Sequence, residues 1–410
     1  MRVGIVGAGI SGLVTAWLVD QECTAVLLEA RSRIGGNARS AAGCVENVLG
    51  VFDLGTQEIA ADDSSAHAAL MAAVGIDAHQ LIDVPSSHTF SMDGNALLVD
   101  DCPGRPAHVG RGPLWEQTRS FLDSVPDLPD RDVPFGAVVE SLSPPPAVRD
   151  HVLSALPAAL FACPVAQVVG LPAHVVLTYL SSVANDEPST VRVLRGGMES
   201  LAWALAARLT TTEVRTGAGV DRVERTADGY ALIDTEGHHR VVEQLVLTVP
   251  PPTAARLLPA SMTGPGAPWH VLRRFAYRPV RYALHLDPAY LPGDRDLWST
   301  YNLISHDGWA ESSFWYGPSH GVDVFKSQIT HRSAQPRRVL ATSTFHALTP
   351  TTDLVDAQRA LAALQGREGL HFAGHYTTGL GDQESAIASA AAVARRITPG
   401  SARLRHLPAP

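Results

Sequence analysis

Gly7, Gly9 and Gly12 follow the apolar run Arg2–Val6 in the spacing G-x-G-x-x-G, and Glu29 ends the next apolar run, Ala25–Leu28. Residues of these types at this spacing hold a dinucleotide. Gly7 permits a tight turn from strand to helix, and Gly9 lets a pyrophosphate approach the backbone without meeting a Cβ. Gly12 lets the helix lie close on the strand. The helix, expected from Ser11 to Val19 with Ile10 just before it, offers free N–H groups and the positive end of its dipole to a diphosphate. The Glu29 carboxylate falls where it can accept hydrogen bonds from an adenosine ribose, and it disfavours a 2′-phosphate, which argues against NADP. The elements required are a strand, a turn, a helix and a second strand, all within the first thirty residues.

Two further stretches are rich in glycine and polar groups. Arg31–Ser40 places Gly35 and Gly36 just after Glu29, where backbone can again pass close to a phosphate or a ribityl chain. Residues 370–397 read LHFAGHYTTGLGDQESAIASAAAVARRI, a short apolar run, an Ala-Gly pair and an Ala-rich helical segment. With the fingerprint, these features resemble the flavin amine oxidase and phytoene desaturase superfamily, whose members pair E-x-R-x-x-x-GG near the N-terminus with such a C-terminal element. The resemblance implies FAD. It places Ala30, Arg31, Gly35, Gly36, Asn37 and Ala38 along the cofactor, and Gly374 and His375 beside its ribityl chain. It also sets the backbone of Gln383, Glu384, Ser385 and Ala386 at a helix N-terminus facing the flavin pyrimidine ring, a natural home for anionic charge. Val220, in GAGVDRVER, takes the position that holds adenine. Gly196-Gly197-Met198 before the helical segment Leu201–Leu209, and Leu245–Pro251 (LVLTVPP), are further marks of the family.

The expected fold class is α/β. A Rossmann-like FAD-binding domain is assembled from residues 1–60, 190–255 and 360–400, and a substrate domain of antiparallel sheet and helices comes from 61–189 and 256–359, in an amine-oxidase-like two-domain layout. Residues 401–410 read as a tail. A chain of 410 residues is long enough for two cores. A formal charge of −9 argues against nucleic acid as a partner. There is no apolar run long enough to span a membrane, and a first strand beginning at Arg2 leaves no room for a signal peptide. The four scattered cysteines, Cys23, Cys44, Cys102 and Cys163, form neither a disulfide framework nor a metal pattern, so a cytoplasmic protein without metal is expected. Lys326 is the only lysine and reads as composition bias.

Specificity is expected from the two insertions. Val152–Cys163 and Ala173–Ala184 have helical spacing, while Tyr277–Asp287, Leu297–Asn302, Ser312–Tyr316 and Val324–Thr330 alternate as antiparallel strands that floor a cavity. Many amine oxidases place a lysine by flavin N5, and that position falls at Arg281. They also cage the amine between two rings, where this chain offers Asp382 at one position and Phe345, beside His346, near the other. No cysteine lies near the second position, so FAD is expected to be noncovalent. The order of LPAHVVLTYL, RGGMESLAWAL, LTVP and LQGREGLHFAG resembles fatty-acid double-bond isomerases and desaturases. Candidate catalytic groups are His375, Tyr376, Arg281, Tyr301 and His346, since imidazole moves protons near neutral pH and Tyr or Arg can stabilise a charged group. The leading expectation is desaturation or isomerisation of an apolar or unsaturated small molecule. An amine or amino-acid oxidase releasing peroxide, and a non-catalytic flavin protein, are the alternatives.

Overall fold

The computed structural model describes residues 1–60, 65–92, 95–99, 112–125, 128–130, 132–184, 190–262, 266–379 and 382–408. Cys102, and residues 380–381 within the C-terminal motif, lie outside them. The first core forms around a five-stranded parallel sheet in the order Glu213–Arg215, Thr24–Leu28, Arg2–Val6, Gln244–Leu247, Leu370–Phe372. Its central strands are continuous apolar runs because both faces are covered. The helix Ile10–Val19, every residue of it buried, packs on one face beside the helix Gln383–Ile397, in one core that includes Leu13, Trp17, Leu201 and Ile387. A three-stranded antiparallel sheet, Val220–Thr226, Gly229–Asp234 and His239–Val242, covers the other face. Gly4 allows the approach there, since a Cβ on it would meet Leu232 Cδ1 at 2.6 Å.

The second core is built on a seven-stranded sheet in the order Val339–Leu348, Tyr277–His285, Phe325–Gln328, Trp309–Trp315, Tyr301–His306, His88–Met92, Asn95–Val99. The sheet is antiparallel except where Tyr301–His306 runs parallel to His88–Met92. That pairing adds the first insertion to the sheet of the second. Leu297–Asn302, expected as a strand, instead opens with a 3-10 turn over Arg295–Leu297 capped by Asp294, and the strand starts at Tyr301. Val152–Cys163 is likewise broken: a π-helical turn ends at Leu153 and a separate helix spans Ala155–Phe161. Pro157, which lacks the N–H needed to bond back to Leu153, accounts for the interruption. This helix and Ala173–Val183 bury Leu156, Ala159, Val176 and Leu180 in a common core over the sheet. Among the described residues no helix is long and apolar enough to cross a membrane, and no cluster of His, Cys, Asp or Glu could hold a metal ion.

Candidate active site

The glycine turn opens onto a cleft of about 260 Å³ lined by Gly7, Gly9, Ile10, Ser11, Glu29, Arg31, Gly35, Gly36, Asn37 and Ala38 from the N-terminal segment. Gly374, His375, Tyr376, Gln383 and Ala386 line it from the C-terminal segment. The two glycine elements are clipped together: Gly35 N donates to Ala8 O at 2.8 Å, and a Cβ on Gly36, whose φ is +59°, would meet Gly9 Cα at 2.9 Å. Gly12 does not face the cleft. It lets the helix close on the turn, since a Cβ there would lie 1.9 Å from Gly7 O. The Glu29 carboxylate accepts from Ala8 N at 2.8 Å and from Arg31 N at 2.9 Å, which presents it at the rim. Ala30 and Val220 do not line the cleft. They lie in the segments joined behind it, where Gly217 N donates to Arg31 O and Ala218 N to Glu29 O.

The cleft fits a flavin on evidence internal to this chain. Four buried polar atoms of cleft residues have no partner: both side-chain atoms of Gln383, His375 Nδ1 and the Tyr277 hydroxyl. All three residues line the cleft, and a buried polar group without a partner costs about 1–3 kcal/mol, so the site is incomplete without a polar ligand. The helix Gln383–Ile397 starts at this point, capped by Asp382, whose carboxylate accepts from Ser385 N at 2.6 Å. Glu384 turns away and accepts from Ala66 N and His67 N, tying down the helix Ala66–Val74, and Ser385 packs beside Gly379. Thr56, Thr248, Val249 and Pro250 also line the cleft, and the last three fall within the motif Leu245–Pro251.

Beyond one end of the cleft lies a cavity of about 760 Å³, and the two share Asn37, Thr56, Phe345, His346, His375, Asp382 and Gln383. An inner lobe of about 440 Å³ continues from it, sharing Gln57, Glu58, Leu160, Tyr179, Ser182, Tyr282, Lys326 and Gln328. At the boundary with the cleft, burial pulls His375 below the ordinary histidine value, opposed by Asp382, so its imidazole is held neutral. Tyr376 is buried, its hydroxyl pointing to Leu247 O at 3.5 Å, and burial raises its pKa so that it stays protonated. His346 lines both spaces, whereas Tyr301 lies in the inner lobe and touches neither the cleft nor the outer cavity.

Arg281 requires correction, because it is exposed and lines none of these spaces. Successive strand residues point to opposite faces, and here Val280 and Tyr282 face the cavity. The cation that does face it is Lys326, two strands along in the sheet from Val339–Leu348. Its Nζ donates to Gly55 O and Gln57 Oε1, each at 2.6 Å, and lies 5.2 Å from the centre of the Tyr282 ring. Burial pulls Lys326 down to about 8, with Glu58 and Asp53 opposing the shift. Asp53, behind it, is pushed up to about 6 by burial although Ser40 Oγ and Met198 N donate to it. Sequence reasoning passed over Lys326, and its signal was present: a lone lysine within an alternating strand.

Comparison with known proteins gives a consistent result. Residues 5–74 match the family model of the NAD(P)-binding Rossmann-like domain, and residues 163–287 match that of the flavin containing amine oxidoreductases. No curated protein sequence matches the chain. Among solved structures, a putative protoporphyrinogen oxidase from Exiguobacterium sp. 255-15 is similar over 97% of this chain and 98% of its own, at 18% identity and a TM-score of 0.68. A CLA-producing fatty acid isomerase from P. acnes is similar over 97% and 98%, at 15% identity and a TM-score of 0.69. Putrescine oxidase bound to putrescine is similar over 97% and 99%, at 14% identity and a TM-score of 0.68. At such identities the likeness is one of fold, and it is shared by structures with different chemistry.

Proposed function

We propose that this protein, which matches the flavin containing amine oxidoreductase model over residues 163–287, binds FAD noncovalently and desaturates, or isomerises a double bond of, an apolar or unsaturated small molecule. Bound FAD supplies a hydride acceptor at its N5 for oxidation at a substrate carbon. The observation that carries the reading is the make-up of the boundary between cleft and cavity. Phe345 is the only Phe, Tyr or Trp among the described residues that line both spaces, and its companions include Asp382, His346 and His375. A pair of rings suited to caging an amine is replaced there by groups that hold and move protons.

The roles of the chain's residues follow from their placement. Val280, Phe345, Ala347 and Leu348 present an apolar wall that orients a hydrocarbon chain and excludes water. Asp382 has one carboxylate oxygen engaged by Ser385 N, and it faces the cavity with the other as the acceptor of a proton lost from carbon. The neutral His375 imidazole lies next to that path and carries an unpartnered Nδ1. Gln383 and the N-terminus of its helix would hold a polar edge of the bound cofactor. Cys23, Cys44 and Cys163 do not line the cleft, which supports noncovalent attachment. The test is an anaerobic absorbance titration of the flavin-loaded protein with unsaturated fatty acids, polyenes and amines, with products analysed by mass. A product of unchanged mass with a moved double bond, or one lighter by two hydrogens, is expected. Bleaching by an amine, with peroxide formed on readmitting air, overturns the reading.

A further inference from the structure

The inner lobe shares eight residues with the outer cavity and none with the cofactor cleft, so a molecule long enough to fill both lobes has one end remote from the flavin. That end meets a different surface from the apolar wall beside the cleft. The Tyr301 hydroxyl lines the inner lobe, is buried and lacks a partner at hydrogen-bonding distance. Ser86 and Ser312 add hydroxyls, and Tyr282 holds its oxygen there by accepting from Gln328 Nε2 at 3.0 Å.

The two charges at the waist are not equivalent. Lys326 is committed to the wall, donating to Gly55 O and Gln57 Oε1. Glu58 accepts one hydrogen bond, from Gln57 Nε2 at 3.0 Å, and makes no ion pair among the described residues. Burial first, then the nearby Glu58 carboxylate, raise the Tyr301 pKa; that carboxylate is the acceptor its hydroxyl approaches without closing to hydrogen-bond distance. Lys326 spends two of its three donors on the wall, so the strongest acceptor left open in the inner lobe is the Glu58 carboxylate, beside hydroxyls able to accept as well as donate. A ligand carboxylate would set a second negative charge against Glu58, which is exposed to this space, whereas an O–H or N–H would complete it.

We propose that the inner lobe is a head-group site for a hydrogen-bond donor, an alcohol or an amine, which leaves interior carbons of the attached chain, and not the head-bearing carbon, beside the cofactor cleft. This rests on the reading that the two lobes form the substrate cavity. The test compares decan-1-ol, decylamine and decanoate by flavin difference spectra of the loaded protein, for the wild type and for Glu58→Gln. Decan-1-ol or decylamine is expected to bind roughly tenfold or more tightly than decanoate, the equivalent of one charge-assisted hydrogen bond, and Glu58→Gln is expected to erase most of that preference. Tighter binding of the alcohol than of the amine assigns a neutral head that avoids the Lys326 charge, and the reverse order assigns a cationic one. Decanoate binding as tightly as the others in the wild type, a ranking that needs no variant to fold, overturns the head-group assignment alone. So does a preference that survives intact in Glu58→Gln. Binding of none of the three chains overturns the cavity reading, and the head-group site with it.

Discussion

The cofactor cleft and the substrate cavity meet at a shared rim, yet they are built from different material. The cleft is made largely of backbone: glycine turns, helix N-termini and a carboxylate held by two main-chain N–H groups. The cavity is made mostly of side chains, many projecting from strands and helices of the two insertions, with Lys326, Tyr282 and Gln328 meeting Glu58 of the N-terminal segment at its waist. A backbone site tolerates almost no added atoms and accepts one kind of ligand. A side-chain site can be respecified by single substitutions while the scaffold stays in place.

The sharpest test of that difference is steric. Gly12→Val, which drives a side chain into Gly7 O, is expected to abolish flavin binding, seen as loss of the yellow holoprotein. Gly43→Ala, where an added Cβ meets nothing within 4 Å, is expected to change stability by no more than about 0.5 kcal/mol. Asp382→Asn should keep the flavin, because asparagine also caps a helix, while turnover falls by about a hundredfold. Equal loss of flavin content and turnover would place Asp382 in cofactor binding and not in catalysis.

Two smaller effects probe the buried charges behind the cavity. Asp53 titrates near 6 when folded against an ordinary value of 3.8, so the folded state holds its proton more tightly. This contribution to stability is complete below about pH 4 and is lost as pH rises through 6, on the order of a few kcal/mol. Asp53→Asn should flatten that part of the profile in denaturant titrations between pH 4 and 7. Lys326 is shifted the other way, to about 8 from 10.5, so the folded state binds its proton less tightly and stability rises with pH across that interval. Lys326→Met should remove this rise, together with any inflection near pH 8 in the binding of chain ligands read from the flavin spectrum.

Much of the first region was legible in the chain, and the reason is locality. Gly7, Gly9 and Glu29 lie within one strand-turn-helix-strand unit, so their spacing alone brings them to one rim. The second glycine pair follows at once. Where the sequence reading strayed, contacts come from far along the chain. The Glu384 side chain turns onto the helix at Ala66, and Val220 packs against the core on the other face of the parallel sheet. Tyr277 and Thr56 contribute to the cleft from segments that show no cofactor pattern.

The exchange of Arg281 for Lys326 shows the limit most clearly. Both lie on strands of one sheet with alternating residues, and the pattern reveals that neighbouring side chains take opposite faces without revealing which face covers the cavity. That choice is made by sheet order. The strand Phe325–Gln328 lies between Tyr277–His285 and Trp309–Trp315, and Lys326 there reaches Gly55 and Gln57, nearly three hundred residues earlier in the chain. The sequence by itself determined the α/β class, the dinucleotide cradle and the resemblance to flavin amine oxidases, because these rest on backbone conformations that neighbouring residues dictate. Only the tertiary structure decided which polar groups enter the cavity, because facing, burial and pKa depend on contacts between segments that no local spacing encodes.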